Sequence, residues 1–109
     1  MTSFFCPQRL ADGLQALADP ANKAVLVAGC TDLMVVDHAE GRRHGTVIDV
    51  LRIPELQGIT EGVTADGRPC LDIGASVTFS ALREDPRVSK VAPIIPEMAA
   101  TIGAWQIQN

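Results

Sequence analysis

A chain of 109 residues is long enough to fold as a domain with a core of its own. Its residues are 47% apolar and 20% charged, which excludes a disordered tail or a fibre. The net charge of −4 argues against a dedicated nucleic-acid binder, and no apolar run approaches the roughly 20 residues that span a bilayer.

Phe4 and Phe5 before Pro7 predict a short extended entry. Leu10, Leu14 and Leu17 repeat at helical spacing beside Ala11 and Ala18, so an amphipathic helix is expected, ending near Asp19-Pro20. Gly13 weakens that helix by up to about 1 kcal/mol relative to Ala. Residues 25–28 form an apolar run too short for a helix, which suits a strand buried on both faces, as in a parallel sheet. From Thr31 onward, Leu33, Met34, Val36 and Asp37 predict a short helix stopped by Gly41. Residues 46–50 predict the next strand. Strand, helix, strand, helix, strand favours a small parallel sheet with right-handed crossovers.

The pattern then changes. Two alternating runs, residues 59–63 and 70–75, flank Asp66-Gly67, a hairpin signal. Leu71, Ile73 and Ala75 are expected on one face, with Asp72 and Gly74 on the other. A second, antiparallel part thus begins near residue 56. Residues 79–83 predict a short helix stopped by Asp85-Pro86. Residues 93–103 predict another, with Pro96 in its first turn. Trp105-Gln-Ile-Gln-Asn109 begins a polar/apolar alternation that stops with the chain, as if the fold were cut short.

The corner at Ala28-Gly-Cys-Thr-Asp32 is the candidate site. A strand that ends in Gly and feeds a helix leaves backbone N–H groups unpaired at the helix start. These donors and the positive end of the helix dipole favour an anion, above all a phosphate. Gly29 allows close approach and a positive φ where the turn needs it; Thr31 adds a hydroxyl. Each amide-to-phosphate bond is worth about 1.5–3 kcal/mol, so a chain poor in cations can still hold a pyrophosphate. The same residues also read as a plain helix cap, with Thr31 or Asp32 satisfying the first amides. The charge of Asp32 suits capping, or a bond to a ribose or flavin edge, better than a phosphate.

Other chemistry has less support. Cys6, Cys30 and Cys70 lack metal-ligand spacing, and Cys6 and Cys70 read as buried free thiols. Arg42-Arg43 reads as a solvated loop. His38 and His44 flank that loop with no nucleophile paired to either and read as loop surface. Asp49, Asp66, Asp72, Glu61 and Glu97 read as turn or solubility residues. Trp105 reads as a packed or interface aromatic, with a flavin neighbour as the alternative. The first residues lack the features of a secretion signal, so a cytoplasmic protein is expected.

Several segments, in this order, resemble one family. They are Phe5-Cys-Pro7; Leu26-Val-Ala-Gly-Cys-Thr-Asp-Leu33; Val47-Ile-Asp-Val-Leu-Arg-Ile-Pro-Glu-Leu56; Ile73-Gly-Ala-Ser-Val-Thr78; Asp85-Pro-Arg-Val88; and Ile102-Gly-Ala-Trp-Gln-Ile-Gln-Asn109. The chain resembles the FAD-binding (medium) subunit or domain of the molybdenum hydroxylases, similar to xanthine dehydrogenase and carbon monoxide dehydrogenase.

The resemblance implies an α+β fold that starts as α/β: a parallel β-α-β subdomain over residues 1–55, then the start of an antiparallel subdomain over residues 56–109, the front part of a FAD-binding type-2 (PCMH-like) fold. It implies that Ala28, Gly29, Cys30, Thr31, Asp32 and Leu33 wrap the FAD pyrophosphate with backbone amides, that Leu26 and Val27 belong to the same cofactor-binding stretch, and that Ile102 and Gly103 line the flavin side. Cys30 stands where the family commonly has a second glycine. The family's second FAD loop would follow Asn109. The resemblance further implies a flavin component of an oxidoreductase that takes electrons from iron–sulfur clusters and passes them to NAD or another acceptor. The molybdenum cofactor and clusters would sit on partner chains, a large and a small subunit. The alternative is a non-catalytic assembly module that keeps the fold without FAD.

Overall fold

A computed structural model describes residues 2–41 and 44–109; the side chains of Asp32, Val36 and His38 lie outside what it describes. The expectations placed on Arg42, Arg43 and the His38 side chain therefore fall outside the described residues. The chain divides into two compact units, Met1–Leu56 and Gln57–Asn109.

The first unit carries β1 (Ser3–Phe5), α1 (Leu10–Ala18), a 3-10 turn (Pro20–Asn22), β2 (Val25–Val27), α2 (Thr31–Glu40), β3 (Thr46–Asp49) and a second 3-10 turn (Pro54–Leu56). The strands form a parallel sheet in the order β1-β3-β2, with Ser3 opposite Thr46 and Val25 opposite Val47. The parallel sheet is the one the sequence predicts, but its buried strand is a different one. β3 lies in the middle, and its neighbours Val47 and Ile48, which point to opposite faces, are both buried. β2 lies at an edge, so Leu26 is half exposed although its run is as apolar as that of β3. Apolarity alone does not tell an edge from a centre.

The helix α1 forms where its spacing predicts, yet the leucines do not form its buried stripe. Leu14 and Leu17 are largely exposed, and the buried position is Gly13. A methyl group there would lie 3.3 Å from Cδ1 of the buried Ile53 and 3.4 Å from Cγ of Pro7. The absent side chain lets the helix backbone close onto Ile53. At the helix end the Asp19 carboxylate accepts from the amide of Ala21 at 2.9 Å, starting the 3-10 turn.

The second unit carries β4 (Ile59–Val63), β5 (Pro69–Ile73), α3 (Phe79–Glu84), α4 (Pro86–Val91), α5 (Ile94–Thr101) and the single turn α6 (Trp105–Gln108). β4 and β5 pair antiparallel, from Ile59 opposite Ile73 to Val63 opposite Pro69. Asp66-Gly67 turns the hairpin as predicted: Gly67 has φ 85°, and the amide of Thr64 donates to the carbonyl of Arg68 at 2.8 Å. The Thr64 hydroxyl, donating to Asp66, holds that carboxyl below its ordinary range. Ala75 lies beyond the strand, so the expected face ends at Ile73.

After the hairpin the helices pack on one another around Leu82, Val88 and Ala99. The Oγ1 of Thr78 accepts from the amide of Ala81 and caps α3. Asp85 closes α3 and opens α4, accepting from the amide of Arg87 at 2.8 Å, with Pro86 at the first position of α4. The sequence reading ended one helix at Asp85-Pro86 and missed the next, because the signals that stop one helix also start another. The closing alternation also misled. Residues 105–108 form a helical turn, because Gln108 points inward to carbonyls at the end of α5. Cys6 is exposed, contrary to expectation, and Cys30 and Cys70 are half-buried; all three are free thiols. Among the described residues no helix is long and apolar enough to cross a membrane.

Candidate functional site

β2 hands over to α2 through a short, open corner. The amide of Val50 donates to the carbonyl of Val27 at 3.0 Å, so the sheet holds the chain up to that point. Ala28 and Gly29 then leave the sheet, and Cys30 becomes the N-cap of α2. The first helical bond runs from the amide of Met34 to the carbonyl of Cys30 at 3.0 Å. Every amide before Met34 is therefore without an intrahelical acceptor.

The sequence offered two readings of this corner, a self-capped helix start or an anion cradle. Cys30 makes no side-chain cap bond, and Thr31 sits inside the helix at its first position, where it does not act as the cap. The Asp32 side chain lies outside the described residues. Among the described residues, the amides of Gly29, Cys30, Thr31 and Leu33 find no protein acceptor. A methyl group built on Gly29 meets nothing within 4 Å, so the space over the corner is open.

The positive φ falls on Cys30 (φ 62°, ψ 0°); Gly29 does not carry it. That geometry costs a non-glycine residue about 1–2 kcal/mol. An αL residue ahead of a helix start turns successive N–H groups toward one concavity, the arrangement that binds phosphates. The sequence allowed a positive φ at Gly29, and the cysteine where a second glycine is common was the signal that it falls one residue later. The thiol lies 3.5 Å from the carbonyl oxygen of Ala28.

Behind the corner, Cys30 and three residues of α2, Leu33, Met34 and Asp37, line a cavity of about 240 Å³ with Thr2, Phe4, His44 and Val47. His44 is more than loop surface. Its Nε2 lies 2.8 Å from Oδ2 of Asp37, tying the second half of α2 to the start of β3. The other carboxylate oxygen of Asp37 is buried and has no partner among the described residues. Asp49 serves a turn, accepting from the amide of Leu51 at 2.9 Å.

Leu26 to Leu33 thus form one continuous corner in the first unit, with the Leu26 side chain at the sheet edge and Val27 buried beneath the loop. Ile102 and Gly103 lie in the second unit, in the turn after α5. Gly103 has φ 52°, and the Ile107 side chain packs where its Cβ would stand. Gln108 holds this turn and was not singled out by sequence. It is 4% exposed, its Nε2 donates to the carbonyls of Ala100 at 3.3 Å and Ile102 at 3.0 Å, and its Oε1 accepts from Nη1 of Arg83. Trp105 beside it is exposed. Among the described residues no group of three His, Cys, Asp or Glu side chains is placed to hold a metal ion.

Proteins of known sequence and structure resemble this chain along nearly its whole length. The xanthine dehydrogenase FAD-binding subunit of Escherichia coli O157:H7 is 36% identical over 100 residues, covering 92% of this chain and 32% of that protein. The structure of quinoline 2-oxidoreductase from Pseudomonas putida 86 superposes with a TM-score of 0.85 at 27% identity, covering 100% of this chain and 36% of the other. Reconstituted CO dehydrogenase from Oligotropha carboxidovorans superposes with a TM-score of 0.86 at 26% identity, covering 99% and 36%. The chain spans about a third of the length of these relatives. With a family profile described as the FAD binding domain in molybdopterin dehydrogenase matching residues 1–109, the chain belongs to that family.

Proposed function

We propose that the corner of the first unit holds the pyrophosphate of FAD, and that the chain serves as the flavin-binding part of a xanthine dehydrogenase-like oxidoreductase. The observation that carries this reading is the set of amides at Gly29, Cys30, Thr31 and Leu33 with no acceptor among the described residues, beneath open space. The donors fit the group. They offer hydrogen bonds to phosphate oxygens, and α2 adds the positive end of its dipole. Thr31 is exposed, and its hydroxyl adds a further donor. Binding through the main chain explains how an acidic protein takes an anionic cofactor.

FAD held there would supply the redox chemistry, between iron–sulfur clusters as electron source and NAD or another acceptor. The residues of this chain bind and orient. Val27 anchors the loop in the sheet, Gly29 keeps the approach clear, and the amides from residue 29 to residue 33 grip the phosphates. The turn at Ile102 and Gly103 lines the flavin side. The first unit is the phosphate-binding subdomain and the second the flavin-side subdomain. The partners are a large subunit with the molybdenum cofactor and a small subunit with the iron–sulfur clusters. The three free cysteines suit the reducing cytoplasm.

The test is a FAD titration of the whole natural polypeptide that carries these residues, followed by flavin fluorescence. Wild type quenches the flavin. Gly29→Val keeps the fold but fills the space above the loop, so quenching is lost. A folded wild-type protein that leaves FAD fluorescence unchanged refutes the reading and leaves an assembly module in its place.

A further inference from the structure

We infer that Cys30 is a positioning residue whose thiol holds the phosphate loop in the left-handed turn that a glycine would adopt unaided. The inference rests on the FAD reading above. Cys30 has φ 62° and ψ 0°, a conformation that L side chains rarely adopt and glycine adopts freely. A non-glycine residue persists there when its surroundings over-determine it. Three contacts do so here. The carbonyl of Cys30 accepts the first helical bond from Met34 at 3.0 Å. The half-buried side chain is seated in the cavity lined by Leu33, Asp37 and His44. The thiol donates to the carbonyl of Ala28 at 3.5 Å, closing a ring across Gly29.

That ring sets the loop. It links the residue that leaves the sheet to the residue that starts the helix, with the Gly29 peptide between them. The amides of Gly29 and Cys30 are inside or next to the ring and have no acceptor among the described residues. While the ring is closed they stay exposed to a phosphate. If Cys30 relaxes to an ordinary φ, the corner turns away and the donors diverge. A thiol is a weak donor, but it acts over a two-residue span, where little further entropy is lost in closing the ring.

The test uses the whole natural polypeptide with Cys30→Ser, Cys30→Ala and Cys30→Gly. Two quantities are read: the melting temperature without FAD, and the FAD dissociation constant from flavin quenching. Serine keeps a donor and binds FAD within about twofold of wild type. Alanine must also hold the left-handed turn but lacks the donor, so its dissociation constant rises about fivefold. Glycine needs no tether and binds at least as tightly as wild type. Without FAD, alanine melts lowest of the four. Alanine matching wild type in both readouts overturns the inference, as does serine falling with alanine. If wild type and all variants ignore FAD, the FAD reading fails, while the order of melting temperatures still decides whether the thiol holds the turn.

Discussion

Gly45 faces the carbonyl oxygen of Asn22 so closely that a methyl group on its Cα would collide with it. The two residues lie at the mouth of the sheet, where the amide of Gly45 donates to the carbonyl of Lys23 at 3.3 Å and its own carbonyl accepts from the amide of Ser3 at 2.8 Å. One residue thus joins the approaches to all three strands. Gly45→Ala forces backbone apart and is expected to destabilise the first unit by about 1–3 kcal/mol. Urea unfolding measures it, and Gly29→Ala is the control. That position has open space and no positive φ, so its change in stability stays within about 0.5 kcal/mol.

The central strand should dominate the stability of the first unit. Ile48 is fully buried, while its register partner Leu26 is half exposed. Ile48→Ala is expected to cost about 2–5 kcal/mol. Leu26→Ala costs less than half as much, since much of its surface is already in water. Paired thermal melts of the two variants check the order, and equal costs would contradict it.

Gln108 makes three hydrogen bonds from a buried position. Gln108→Ala leaves the carbonyls of Ala100 and Ile102 without that donor, so a loss of about 1–3 kcal/mol is expected. Gln106→Ala, two residues earlier and exposed, should change stability by about 0.5 kcal/mol or less. Denaturant midpoints of the two variants provide the comparison.

Asp85 gives the second unit a pH dependence of known sign. The Arg87 guanidinium, at 2.6 Å, holds its carboxyl below the ordinary carboxylate range. The group is more acidic folded than unfolded, so its contribution is complete above the unfolded value near about 3.9 and is lost as the pH falls through the folded value. Melting temperatures should drop below about pH 4 in the wild type, and Asp85→Asn should flatten that part of the profile.

Much of this protein was legible in its residues. Helical spacing placed α1, Asp85-Pro86 marked the end of α3, Asp66-Gly67 placed the hairpin, and the order of apolar runs placed the parallel sheet. Gly29 before a helix start marked the corner. These are local signals, written in a few neighbouring residues, and they survive without knowledge of the fold. The family resemblance was legible for the same reason, since it rests on short segments in fixed order.

Burial was decided elsewhere. Val25, Leu26 and Val27 read like Val47 and Ile48, but lying at the edge or the centre of a sheet depends on which strands pair, and that is set by residues far along the chain. Leu14 and Leu17 kept helical spacing while Gly13 took the core, because Ile53 arrives from the far end of the unit. Gln108 turned inward for carbonyls that only the packed helices place within reach. The left-handed turn came to Cys30 rather than Gly29 because the sheet fixes where the chain leaves and the helix fixes where it restarts, and the residue between them takes the geometry that remains. Sequence determined which segments form; the long-range pairing of those segments determined what they bury and which amides they leave open.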